Sequence, residues 1–223
     1  MRKIKRTNYD IYLFDLDGTL TDSQPGIIHS VQYALEKLGI IESDLQKLLP
    51  FIGPPLAESF REFYGFDAAS ALQAVEFYRE YFREKGIFEN NVYEGIPALL
   101  AELRQSDYTL AVATSKPTIF TDRILNHFQM RNFFEVVIGS NLDGTHSSKA
   151  EVIGLVLGKI KDPSQKAVMI GDRKHDILGA QENAIDSIAV AYGYGTVTEL
   201  EAAKPTYLVR SVAELQELLV GEG

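Results

Sequence analysis

Short apolar runs alternate with amphipathic helical patterns along most of this 223-residue chain. Brief runs of apolar and β-branched residues predict buried strands, and apolar residues spaced three and four apart predict helices. Their alternation predicts an α/β fold with a parallel sheet that helices cover on both faces. The predicted strands are residues 9–14, 109–113, 135–138, 167–170 and 187–191, and the predicted helices are residues 96–104, 119–128, 150–160, 177–183 and 212–219.

One interval, from Ser23 to about Asn90, contains no predicted strand. Pro25 suits a first helical turn that Asp22 or Ser23 can cap, and further helical patterns cover residues 56–64 and 68–85. Leu72, Val75 and Phe82 belong to the last of these patterns, whose aromatic residues are expected to pack between helices. An all-helical block of this length is too long for a connection, so it predicts an inserted helical domain.

Composition excludes several classes of function. A net charge of −9 argues against binding to a nucleic acid polymer or to an anionic membrane surface. A small anionic ligand stays compatible with it, because a few groups and a bound metal set the field inside a pocket. The chain has no cysteine, which excludes disulfides, thiolate zinc sites and cysteine nucleophiles and suits a cytoplasmic protein. Residues 1–6 are expected to be a solvated basic tail, and no segment has the length and apolarity of a membrane span.

Two acids follow the first predicted strand, in the run Asp15-Leu-Asp17-Gly18-Thr19. Open α/β sheets bind ligands at the carboxyl ends of their strands, so Asp15 and Asp17 are candidate functional residues. The alternative is an Asp-rich turn in which Gly18 supplies a left-handed conformation.

A second acidic motif, Gly171-Asp172-Arg-Lys-His-Asp176, follows the strand at residues 167–170. Asp172 or Asp176 could instead cap the next helix. If this strand lies beside the first, four carboxylates share one crevice, and like-charge repulsion then requires a cation. Oxygen ligands favour Mg²⁺, which leaves His175 as a solvent-facing helix residue.

Two further strand ends provide partners for an anion. Thr114 and Ser115 follow the strand at residues 109–113, and Lys149 begins the helix after residues 135–138. A hydroxyl and an ammonium group suit phosphoryl oxygens. Taken singly, each could also be an ordinary strand-end hydroxyl or a solvated lysine.

The ordered series Asp-x-Asp-Gly-Thr, Thr, Lys and Gly-Asp-x-x-x-Asp resembles the haloacid dehalogenase superfamily, specifically its phosphatases. The resemblance implies a Rossmann-like doubly wound core, residues 1–22 and 91–223, with an all-helical cap domain at residues 23–90. The second Asp of the first motif, here Asp17, separates phosphatases from dehalogenases within that superfamily. The resemblance therefore implies a Mg²⁺-dependent phosphomonoester hydrolase that forms an aspartyl-phosphate.

The resemblance also assigns roles to the site residues. Asp15 is expected to be the nucleophile and a metal ligand, and Asp17 the general acid and base whose backbone carbonyl also binds metal. Thr114, Ser115 and Lys149 are expected to hold the substrate phosphate. Asp172 is expected to bind the metal directly, and Asp176 either directly or through water.

Weaker similarities point toward the phosphoglycolate phosphatase group and its 5′-nucleotidase-like members. They lie in residues 53–60, 148–153, 169–176 and 191–195. The expected substrate is a nucleoside monophosphate or a small organic phosphate such as phosphoglycolate, with Arg61, Lys116 and Arg173 as candidate contacts to its second polar group. The turn at residues 53–55 could reach the substrate when the cap closes, or could simply break a helix. The alternatives are a phosphosugar mutase and a non-catalytic module on the same fold; the sequence does not predict an oligomeric state.

Overall fold

A computed structural model describes residues 9–106, 108–160 and 165–221, and the predicted tail at residues 1–6 lies outside them. Helices and strands alternate along most of these residues. The strands are β1 (Ile11–Phe14), β2 (Thr21–Asp22), β3 (Asn91–Val92), β4 (Thr109–Pro117), β5 (Val136–Ser140), β6 (Ala167–Gly171), β7 (Asp186–Val190) and β8 (Tyr207–Val209). The α-helices are α1 (Gln24–Lys37), α2 (Leu56–Tyr64), α3 (Ala68–Glu84), α4 (Ile96–Gln105), α5 (Thr118–His127), α6 (Lys149–Lys159), α7 (Lys174–Glu182), α8 (Val197–Ala202) and α9 (Val212–Val220).

Six strands form one sheet in the order β5-β4-β1-β6-β7-β8. Each of the five neighbouring strand pairs in this sheet is parallel. From β1 the chain builds outward through β4 and β5 and then returns to the other side of β1 with β6. This is the strand order of the Rossmann fold, whose crevice lies where the order reverses. The predicted Rossmann-like parallel core is confirmed.

Strand β1 shows why its sequence is continuously apolar. Ile11 and Leu13 belong to a buried cluster that includes residues of α6 and α7. Tyr12 makes an edge contact with Tyr108 at 5.2 Å, and Phe14 makes one with Phe134 at 6.2 Å. Successive side chains of a strand point to opposite faces, so both faces of the sheet are covered.

Several element boundaries differ from the sequence predictions. Strand β4 continues to Pro117, four residues beyond its predicted end, and α7 begins at Lys174 instead of Ile177. Strand β8 and helix α8 were not predicted. They have three and six residues, which is too short for a periodic pattern to show.

The chain divides into two compact units. One consists of Met1–Thr21 and Val92–Gly223 and carries the six-stranded sheet; the other is Asp22–Asn91 and carries α1, α2 and α3. The short strands β2 and β3, at the two connections, pair with each other. No helix among the described residues combines the length and apolarity that a membrane crossing requires.

In the second unit, aromatic side chains pack between the helices. Phe51 contacts Phe60 at 4.9 Å between ring centroids. Asp22 caps α1, since its carboxylate accepts the backbone N–H of Gln24 at 3.2 Å, whereas Ser23 makes no side-chain capping bond. Of the apolar residues in the pattern at residues 68–85, Val75 and Phe82 are buried, whereas Leu72 is 62% exposed.

Candidate active site

Three carboxylates meet beyond the carboxyl ends of β1 and β6. Asp15 directly follows β1 and Asp172 directly follows β6, and these strands are parallel neighbours. Asp176 lies in the first turn of α7. All three residues are buried, and each has an oxygen within 4.8 Å of an oxygen of the others. The structure thus brings together acids that lie up to 161 positions apart in the sequence, and three such oxygens could hold a metal ion.

Lys149 connects two of these carboxylates. Its ammonium lies 2.8 Å from Asp15 Oδ1 and 2.8 Å from Asp176 Oδ1, and it donates to the backbone carbonyl of Ala113 at 3.2 Å. Burial alone lowers the pKa of Lys149, but the charges of Asp15 and Asp176 outweigh burial and raise it. Lys149 therefore carries a positive charge at neutral pH.

Burial disfavours the ionised form of the carboxyl groups in the acidic cluster. Burial, together with the charges of Asp176 and Asp15, raises the pKa of Asp172 well above its usual value. Burial also raises the pKa of Asp176 to about 6, against the opposing effect of Lys149. Asp172 Oδ1 is buried and has no hydrogen-bond partner among the described residues. An unpartnered buried oxygen within a group of carboxylates fits a hard divalent cation.

Two glycine-containing loops pack directly on Asp172. Tyr194 donates its backbone N–H to Asp172 Oδ2 at 2.7 Å. A Cβ atom at Gly18 or at Gly193 would collide with Asp172. Gly18 also has φ +81°, the left-handed conformation that glycine adopts readily. The left-handed turn is therefore part of the candidate site and not an alternative to it. In the sequence, residues 191–195 were connected only with a family similarity and were given no role in the site, although the alternating glycines after β7 were an available signal.

Asp17 is not one of the three grouped carboxylates. Its Oδ2 is 2.9 Å from the ammonium of Lys116, and both side chains are largely buried. Its Oδ1 is buried without a hydrogen-bond partner among the described residues. The crevice thus contains three grouped carboxylates and a fourth that is paired with a lysine. Lys116, which the sequence suggested as a substrate contact, lies against Asp17.

The predicted phosphate-binding hydroxyls lie where β4 departs from regular pairing with β5. Ala113 pairs with Ile138 and Pro117 pairs with Ser140, so β4 advances four residues while β5 advances two. Such irregularities redirect side chains next to binding sites. Thr114 is buried, and its hydroxyl accepts the N–H of Lys116 at 3.3 Å. Ser115 donates its hydroxyl to the carbonyl of Ser147 at 3.0 Å, which fixes the loop before Lys149.

Two other sequence candidates lie in different environments. Arg173, suggested as a substrate contact, donates from Nε to Glu199 at 3.0 Å, and the N–H of Lys174 binds the same carboxylate oxygen. Arg173 also donates its N–H to Asp176 Oδ2 at 3.0 Å, so Asp176 is a helix-capping acid as well as a member of the cluster. His175 is exposed, as its sequence position suggested, and does not belong to the acidic cluster.

Comparison with known proteins gives consistent matches. The family model for haloacid dehalogenase-like hydrolases matches residues 12–190. A 5′-nucleotidase from Pseudomonas aeruginosa is 48% identical over 211 residues, which cover 95% of this chain and 96% of that protein. The tyrosine-protein kinase PtkA from Mycobacterium tuberculosis is 38% identical over 213 residues, covering 94% of this chain and 72% of PtkA. A crystal structure of a predicted phosphatase from Clostridium acetobutylicum has a TM-score of 0.89 and 48% identity, covering 95% of this chain and 98% of that one.

Proposed function

This chain belongs to the haloacid dehalogenase-like hydrolases and is a phosphoric monoester hydrolase, and we propose that it hydrolyses nucleoside monophosphates with Mg²⁺ through an aspartyl-phosphate on Asp15. One observation carries the proposal: the buried Lys149 ammonium lies 2.8 Å from Asp15 at the edge of a three-carboxylate cluster. A phosphate dianion approaching Asp15 meets this positive charge.

The metal would be held by Asp15 and Asp172, with Asp176 binding directly or through water and the backbone carbonyl of Asp17 as a further ligand. The unpartnered Oδ1 of Asp172 supports this assignment. When bound, Mg²⁺ supplies positive charge that offsets the repulsion between the substrate phosphate and the carboxylates.

Asp15 acts as the nucleophile. Its Oδ1 accepts the N–H of Leu16 at 2.8 Å and faces Lys149, which holds the carboxylate in place beyond β1. In the first step a carboxylate oxygen of Asp15 bonds to phosphorus, and the bond from phosphorus to the ester oxygen breaks. Asp17 gives its proton to the departing oxygen. Thr114, Ser115 and Lys149 bind the phosphoryl oxygens.

The second step returns the enzyme to its starting state. Asp17, now ionised, takes a proton from a water molecule whose oxygen attacks phosphorus. The bond between phosphorus and the Asp15 carboxylate breaks, and inorganic phosphate leaves. Asp17 is protonated again and can serve the next cycle.

The choice of substrate rests on similarity. The Pseudomonas aeruginosa relative at 48% identity carries the name 5′-nucleotidase, which favours a nucleoside monophosphate over phosphoglycolate. We further propose that the unit Asp22–Asn91 is the cap that selects the leaving group, with the turn at residues 53–55 as a substrate contact.

The proposal is tested by measuring phosphate release from nucleoside monophosphates, phosphoglycolate and sugar phosphates, with Mg²⁺ and with a chelator. We expect stoichiometric inorganic phosphate, a requirement for Mg²⁺, and the highest kcat/KM for a nucleotide. A higher kcat/KM for phosphoglycolate would show that the proposed substrate class is wrong and would leave the proposed reaction unchanged. A rearranged sugar phosphate without free phosphate would indicate a mutase.

Because the chain is similar to a tyrosine-protein kinase, the experiment also tests for phosphoryl transfer from ATP to protein. Incubation with ATP labelled in its γ-phosphate separates hydrolysis from transfer to protein. Label that appears on tyrosine, in place of free phosphate, would overturn hydrolysis as the main reaction.

A further inference from the structure

The ion pair between Lys116 and Asp17 is the least expected contact of the candidate active site. Lys116 Nζ lies 2.9 Å from Asp17 Oδ2, and the two side chains are 8% and 15% exposed. A lysine that served only as a surface charge would extend into water, because its ammonium is strongly hydrated. Burial against the Asp17 carboxylate indicates a specific partner.

The main chain at Lys116 is fixed from several sides. Its N–H donates to the Thr114 hydroxyl at 3.3 Å, and a Cβ atom at Gly139 of β5 would collide with its carbonyl oxygen. The neighbouring hydroxyls also hold this stretch, since Ser140 donates to the carbonyl of Ser115 at 2.8 Å. The Lys116 ammonium therefore extends from a stretch of main chain, at the irregular end of β4, that hydrogen bonds and close packing hold in place.

The contact with Lys116 fixes the orientation of the Asp17 carboxyl group. One of its carboxylate oxygens is bound to Lys116, and the other is buried and has no hydrogen-bond partner among the described residues. A bidirectional proton carrier needs one oxygen free for the proton and a fixed orientation of the carboxyl group. The pairing provides both.

We propose that Lys116 is a positioning residue that orients the Asp17 carboxyl group for proton transfer to the leaving oxygen. The inference rests on the proposed function, in which Asp17 is the general acid. It replaces the sequence-based suggestion that Lys116 binds a second charged group of the substrate, because the Lys116 ammonium contacts the proton carrier itself.

Dependence on the leaving group separates positioning from other roles. An ester of an acidic phenol departs with little help, whereas an ester of an alkanol needs the proton from Asp17. For Lys116→Met we therefore expect a drop in kcat/KM that is at least about tenfold larger for alkyl than for nitrophenyl phosphates. The quantity kcat/KM is suitable because it includes bond cleavage to the leaving group but excludes the later hydrolysis of the aspartyl-phosphate.

The measurement uses phosphate monoesters that carry no second charge, chosen from those that the wild-type enzyme hydrolyses. The logarithm of kcat/KM is plotted against the pKa of the leaving group for each variant. All kcat/KM values for one variant come from one preparation. A partly unfolded preparation lowers all of them by the same factor, so the line is displaced but its slope is unchanged. Lys116→Gln serves the same test if Lys116→Met does not fold.

Two controls accompany this variant. Lys47→Met removes an exposed charge that pairs with Glu42 in the other unit and is expected to keep the wild-type slope. In an Asp17→Asn background, Lys116→Met is expected to change kcat/KM by less than about twofold, because Lys116 acts through Asp17.

Equal losses for all esters, or a full additional loss in the Asp17→Asn background, would overturn the role of Lys116 and leave the proposed function intact. An inactive wild-type protein would instead overturn the proposed function.

Discussion

Asp172 and its neighbours show how single residues set the chemistry of this molecule. The carboxyl group is buried beside Asp15 and Asp176, and the backbone N–H of Tyr194 binds only one of its oxygens. A buried carboxylate without enough partners disfavours its own charge. Such a site costs stability in the metal-free protein and favours a cation.

We expect Asp172→Asn to stabilise the metal-free protein, and increasingly so as pH rises. A raised pKa means that the folded protein holds the proton more tightly than the unfolded chain does. The stability from this proton is full below the ordinary aspartate pKa, near pH 4, and is lost as pH increases. Asn is neutral throughout and loses nothing. The gain should be near zero at pH 4 and should grow as pH rises toward 8, where it should appear as a higher Tm for the variant.

Thermal unfolding in the presence of a chelator at pH 4 to 8 measures this difference. Asp143→Asn is the matched control, since Asp143 is exposed and hydrogen bonds from Thr145 lower its pKa. That control should show no gain at high pH, because its charged form is the favoured one. A gain for Asp172→Asn that does not change with pH would contradict the assignment.

Asp15→Asn is expected to abolish turnover while the protein still folds. An amide cannot form the aspartyl-phosphate, so kcat should fall by at least about a thousandfold. Phosphate release measures the activity, and circular dichroism with thermal unfolding measures the fold. Activity within about tenfold of wild type would exclude Asp15 as the nucleophile.

At the scale of elements, α1 depends on a close contact within its own unit. Gly26 is buried, its N–H donates to the Glu89 carbonyl at 3.0 Å, and a Cβ atom there would collide with the carbonyl oxygen of Gly86. The short 3₁₀ helix Gly86–Phe88 can therefore lie against α1 only because position 26 has no side chain.

Gly26→Ala should therefore destabilise the protein by about 1–3 kcal/mol, because it overpacks a backbone contact. Gly158→Ala, in α6, adds the same methyl group where no atom lies within 4 Å and should instead stabilise by about 0.5–1 kcal/mol. Urea unfolding of both variants gives the comparison. Equal effects would show that helix propensity, and not the contact with Gly86, governs position 26.

The whole molecule combines a sheet unit that carries the site with an inserted helical unit. The net charge of −9 makes the metal-free chain repel itself, and the acidic cluster adds a local share of that repulsion. A cation that binds only the folded cluster must shift the unfolding equilibrium by mass action.

Mg²⁺ at about a hundred times its Kd should stabilise the sheet unit by about 2.7 kcal/mol, or about 5–10 °C in Tm. A titration followed by thermal unfolding measures the shift, and a chelator should reverse it. Asp172→Asn removes a charged ligand and should reduce the shift by more than half. A shift of equal size in that variant would indicate that Mg²⁺ acts elsewhere, for example by screening the net charge.

Local sequence patterns were sufficient for five of the six strands of the core sheet, their parallel arrangement and the positions of the acids at strand ends. The reason is physical: the spacing of apolar residues reports which faces are buried, and a polar residue after a buried run must lie where the strand leaves the core. The order of Asp15, Thr114, Lys149 and Asp172 along the chain pointed to the family, which the match over residues 12–190 supports.

Pairings between distant residues needed the folded chain. Lys149 reaches the Ala113 carbonyl 36 positions away, and Tyr192 donates its hydroxyl to the Thr19 carbonyl 173 positions away. The contact of Lys116 with Asp17, the irregular end of β4 and the loop on Asp172 are of the same kind. No periodicity encodes them, because they arise only when strand order and register bring separate loops to one edge of the sheet. The sequence thus indicated which groups carry the chemistry, and the tertiary structure determined which of them touch.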